Sequence, residues 1–144
     1  MGLYFYLIMG GEVREWRACL RPFPSAEIII GVPEAGGSAG ARRLSALLSE
    51  RGFPNRWIPL KYRPDWLTVW LSEPWESNPL HTLLHETPYL ILEAEIPTLH
   101  RLWDSLRRQQ IAQEVRLFFP PSLAKPQSDL VAPWQPCQIV STLP

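Results

Sequence analysis

Apolar positions along the chain fall into short blocks punctuated by glycine and proline. Residues 3–9 (LYFYLIM) form a continuous apolar run, followed by Gly10-Gly11 and then EVREWRACL. Two glycines between strand-like runs are a turn signal, so an N-terminal β-hairpin is expected over residues 1–22. Its second strand changes phase, with Val13 on one parity and Trp16, Ala18 and Leu20 on the other; a bulge near Arg14-Glu15 reconciles them. Glu27 to Val32 (EIIIGV) then reads as a buried strand. It leads through PEAGGSAG into ARRLSALLSERGF, where Ala41, Leu44, Leu47 and Leu48 share one helical face. Gly52 stands at the αL cap position, and Pro54 beyond it blocks continuation.

Downstream, residues 56–62 (RWIPLKY) fit an edge strand because of Pro59, and residues 66–72 (WLTVWLS) read as a further strand after a turn at Pro64-Asp65. Leu80, Leu83 and Leu84 allow one or two helical turns between prolines. Tyr89 to Ile96 is a strand, and Pro97 opens a helix with Leu99, Leu102, Trp103 and Leu106 facing the core and Asp104 paired with Arg108 outside. Residues 115–119 (VRLFF) make the last buried strand. Six prolines follow among residues 120–144, so an extended, Pro-rich tail is expected over 122–144, with an edge strand from Gln138 to Leu143 and Trp134 as an anchor.

The order beyond the hairpin is βαββαβ. The expected fold is therefore α+β: a ferredoxin-like sandwich, with an antiparallel sheet and two helices on one face. In this reading residues 1–121 form one domain, with the hairpin at 1–22 and the core at 26–119. A small α/β fold with a mostly parallel sheet is the alternative.

Composition narrows the function classes. With 46% hydrophobic and only 19% charged residues, the chain can build a core and is not expected to be disordered. Fourteen basic residues balance fourteen acidic ones, so no global field draws it to nucleic acid or an anionic membrane. The run at 3–9 is short, has no basic residue before it and lacks a cleavage pattern, so neither a signal peptide nor a membrane span is expected there. Cys19 and Cys137 are isolated, which fits a reduced pair in the cytoplasm better than a disulfide framework.

The glycine-rich loop is the first candidate site. Gly36, Gly37, Ser38 and Gly40 join a strand to a helix, and Arg42 and Arg43 lie in the first helical turn, an arrangement that can bind an anion. The glycines follow neither G-x-G-x-x-G nor a P-loop, Glu34 sits beside them, and Ser38 can serve simply as N-cap. His81 and His85 stand at i and i+4, but no third ligand is evident and no metal is expected. No G-x-S-x-G elbow exists, and Glu93 and Glu95 read as the wet side of a strand, so no catalytic residue is assigned.

The second candidate is aromatic. Trp57, Trp66, Trp70 and Trp75, with Trp134 in the tail, could anchor a partner protein, while nearby Arg56 and Arg63 would also suit stacking on RNA. The expected function is a non-catalytic protein-interaction domain, or a small subunit of a larger assembly, that needs no cofactor. An RNA- or nucleotide-phosphate-binding module using the glycine loop and arginines is the alternative, and a small enzyme with an unrecognised site the second alternative.

Overall fold

Ile28–Ile30 and Leu90–Leu92 are apolar without interruption and buried at every position, as strands covered by helices on both faces must be. In the computed structural model, which describes residues 3–9, 27–34, 39–118 and 131–140, they form the centre of a parallel sheet. Its strands are β1 (Leu3–Ile8), β2 (Glu27–Pro33), β3 (Asn55–Pro59), β4 (Tyr89–Ala94), β5 (Val115–Phe118) and β6 (Cys137–Val140). They lie in the order β3-β4-β2-β1-β5-β6, every neighbouring pair parallel. Phe5 stands between Ile29 and Val115, and Glu93 between Val32 and Pro59.

Four helices complete the described chain: α1 (Ala39–Glu50), α2 (Pro64–Ser72), α3 (Pro79–Glu86) and α4 (Ile96–Arg108). Between them are short 3₁₀ turns at Leu60–Tyr62 and Trp75–Ser77, with another at Ala132–Trp134. The sheet separates two apolar layers. On one face Ala41, Leu44, Leu47 and Leu48 of α1 cover Ile28, Ile30, Tyr89 and Ile91. On the other, Trp70, Leu80, Leu84, Leu99, Leu102, Trp103 and Leu106 cover Phe5, Leu7, Ile29, Leu90 and Leu92. The direction of travel explains the division. β2 to β3 moves one way across the sheet through α1, whereas β3 to β4 and β4 to β5 move back, and right-handed crossovers then need opposite faces.

Local chemistry sets the element ends. At the end of α1, the Phe53 N–H donates to the Leu48 carbonyl (2.9 Å) and the Gly52 N–H to the Ser49 carbonyl (3.0 Å). This closure needs the positive φ of 80° that Gly52 supplies. Asn55 then ties β3 to the helix, its Oδ1 accepting from Ser45 Oγ at 2.6 Å. In β2, a Cβ on Gly31 would stand 3.1 Å from Leu7 Cδ1 and 3.3 Å from the methyls of Leu99, so the missing side chain lets α4 approach the sheet.

The ferredoxin-like expectation is overturned, and the parallel α/β alternative fits. The sheet is parallel, and helices occupy both of its faces. Both edges of β1 are taken, by β2 and β5, so β1 has no antiparallel hairpin partner beside it. Residues 10–26, including the expected second hairpin strand and Cys19, lie outside the described residues, as do residues 122–130 and 141–144 of the expected tail. WLTVWLS is helix α2, not a strand. Residues beyond Pro121 include an edge strand: β6 pairs with β5, Val115 opposite Cys137, and Trp134 is 1% exposed. Among the described residues no helix is long and apolar enough to cross a membrane.

Candidate functional site

Of the glycine-loop residues, Gly36, Gly37 and Ser38 lie outside the described residues, while Gly40 is in the first turn of α1. Arg42 and Arg43 are exposed, on the side of α1 away from its buried Ala41–Leu44 stripe. The groups that gather around the ends of β2, β3 and β4 are instead chiefly acidic. Glu34 follows β2, its N–H donating to the Ala94 carbonyl at 2.8 Å, and its carboxylate pairs with Lys61 Nζ at 3.3 Å. Glu93, the penultimate residue of β4, is 2% exposed.

Glu93 corrects a sequence expectation. It shares parity with Tyr89 and Ile91 and so lies on the face that α1 covers, whereas Glu95 is an exposed residue at the start of α4. Burial raises the Glu93 pKa above its ordinary value, and the neighbouring Glu34 charge adds to this; Lys61 and the Trp57 indole pull it down. Sequence alternation in LEAE signalled a wet face because alternation does not reveal whether that face is covered.

The aromatic candidates divide between the two layers. Trp57 is half-buried on the α1 side. Trp66 and Trp70 lie on the opposite side in α2, 6.2 Å apart between ring centroids, and Trp70 is buried. Trp75 is half-buried and stacked on His81 at 4.6 Å. Trp134 is core, in contact with Trp103 and His100 of α4, and His100 Nε2 donates to the Pro133 carbonyl. The five tryptophans therefore do not make one exposed surface.

Two of them do share a concavity. A groove of about 510 Å³ runs between α2 and α3, with Trp66, Val69, Trp70, Pro79 and Leu83 as its apolar walls. Ser77 and Thr82 supply hydroxyls, and Asp65 and Glu86 are the charged lining residues. The groove depends on Asn78, whose Oδ1 accepts from the Leu80 N–H (2.9 Å) and whose Nδ2 donates to the carbonyls of Trp70 (2.8 Å) and Glu73 (3.1 Å). One buried amide thereby caps α3 and fastens it to the end of α2. Arg56 and Arg63 both lie over the Trp66 ring, at 5.6 and 5.2 Å from its centroid.

The sequence reading found Trp66 and Trp70 but missed the groove, since with residues 66–72 as a strand there was no second helix to wall it. The available signal was Pro64-Asp65, a proline and an acid suited to a first helical turn. His81 turns its Nδ1 to the Trp75 carbonyl (3.1 Å), and among the described residues no three metal-binding side chains come together. Comparison with protein-family models, with curated proteins and with solved structures finds no match for this chain, so its functional reading rests on this geometry.

Proposed function

We propose that this chain is a protein-interaction module that takes a segment of its partner in the α2–α3 groove. The groove itself carries the reading: a concave, largely apolar surface between two helices, with Val69 left 39% exposed at its wall. Its volume lies within the range of about 300–1,000 Å³ typical of ligand pockets, so it admits a few side chains rather than a whole domain face. Both charged residues lining it are acidic. The fitting occupant is an amphipathic segment with an apolar anchor and a lysine or arginine about one helical turn away, so that the cation meets Asp65 or Glu86.

The alternative, RNA or a nucleotide phosphate, has less support. Arg56 and Arg63 gather at Trp66 on one side of the sheet, whereas Arg42 and Arg43 stand on α1 on the other. No single basic face joins them.

A peptide library displayed on phage tests the proposal, with the purified chain and its Val69→Glu variant as parallel baits. The expected result is enrichment of peptides combining an apolar residue with a basic one, and at least tenfold weaker binding to Val69→Glu. Because Val69 is exposed, that variant should melt within a few degrees of the parent. Absence of enrichment, or equal binding to both baits, would refute docking in this groove.

A further inference from the structure

Near the carboxyl ends of β2 and β4, Glu93 lies on the opposite face of the sheet from α2 and α3. The two strands are neighbours, yet the chain leaves β2 for α1 on one face and β4 for α4 on the other. In parallel α/β sheets such a parting of connections marks the crevice beyond the strand ends where ligands are placed. Glu93 sits there, buried, between Val32 and Pro59.

Among the described residues only two polar side chains are buried, Asn78 and Glu93, and they are treated differently. Asn78 makes three hydrogen bonds. No ion pair holds the Glu93 carboxylate among the described residues, and the Trp57 indole is the neighbouring donor that acts on it. Lys61 is the cation acting on Glu93, but its ammonium is in contact with Glu34 at 3.3 Å. Two carboxylates thus share one lysine, and the buried one has no cation of its own. Burying a carboxylate without a paired charge is costly, and a positively charged ligand group removes that cost.

We propose that this crevice binds a small molecule carrying a protonated amine or guanidinium, which pairs with Glu93. The Glu34–Lys61 pair is its more exposed rim, and the Trp57 indole beside Glu93 helps to position the carboxylate. A guanidinium suits the carboxylate especially well, since its fork of N–H groups can engage both oxygens. This site shares no residue with the α2–α3 groove.

Isothermal titration and thermal melting with L-argininamide and agmatine, on the full chain at neutral pH, test the proposal. Saturable binding of at least one of these is expected, with a concentration-dependent rise in Tm, and Glu93→Gln should weaken it tenfold or more. Without ligand, Glu93→Gln should be at least as stable as the parent, which separates lost binding from lost folding. Lys61→Met, which removes the competing cation, should bind as tightly as the parent or more so. Failure of both compounds to bind, equal binding by Glu93→Gln, or loss of binding in Lys61→Met would overturn the assignment. Val69→Glu should bind the ligands normally, so the fate of this site is read independently of the groove.

Discussion

At the scale of single residues, Asn78 and Glu93 show two outcomes of burying a polar side chain. Asn78 satisfies two backbone carbonyls and one N–H that would otherwise be stranded at the junction of α2 and α3. Asn78→Ala should therefore cost about 2–4 kcal/mol, combining a lost cap with carbonyls left unpaired. Asn78→Asp retains the acceptor for Leu80 but removes both donated bonds, and so should also destabilise. Urea unfolding of the two variants checks this, and parent-like midpoints would show that Asn78 does not fasten α3 to α2. Part of this was legible: asparagine followed by proline and a leucine-rich stretch is a helix-start pattern. The bonds to Trp70 and Glu73 were not, because they require α2 to end where it does. Glu93 was misread for a related reason. Its parity was right, but alternation reports which residues share a face and not whether that face is covered.

At the scale of elements, the most consequential ambiguity lay in WLTVWLS. Trp66 and Trp70 are four apart, which puts them on one side of a strand and equally on one face of a helix. The decision rested on Pro64-Asp65, which fits a turn as well as a helix start. By contrast α1 and α4 were legible from their four-residue apolar stripes, and Gly52 marked the end of α1 correctly. In the C-terminal residues the expected edge strand and the Trp134 anchor are both present, and the structure adds what each packs against. Trp134 packs with Trp103 and His100, and β6 continues the sheet beyond β5. Trp134→Ala should cost about 3–5 kcal/mol, as expected for a large aromatic removed from a core. Combined with Trp103→Ala it should be less than additive, since the two rings lose the same contact. Denaturant melts of both singles and the double variant measure this, and strict additivity would deny the coupling of tail and helix.

At the scale of the whole molecule, the pattern foretold the strands better than their arrangement. Runs such as EIIIGV and YLIL carry the continuous burial of a parallel sheet, but neighbour choice depends on helices crossing several strands away. The resulting molecule, with helices on both faces of its sheet, places its acidic groups in environments that respond to pH in opposite senses. Burial and the Glu34 charge raise the Glu93 pKa above the ordinary 4.5, so the folded state holds that proton more tightly than the unfolded chain. Its contribution is fully present below 4.5 and is lost as the pH rises through the raised value. Asp104 behaves oppositely: hydrogen bonding from Arg107 and the charges of Arg108 and Arg107 hold its pKa below 3.8. Its contribution is present above 3.8 and is lost as the pH falls through the depressed value. Stability measured by urea unfolding should therefore rise on mild acidification from neutrality and fall again at lower pH. Glu93→Gln should flatten the rise while leaving the acid-side fall, and Asp104→Asn should weaken the fall while leaving the rise. A rise that persists unchanged in Glu93→Gln would mean that another group takes up the proton, and would remove Glu93 as the buried charge that a cationic ligand relieves.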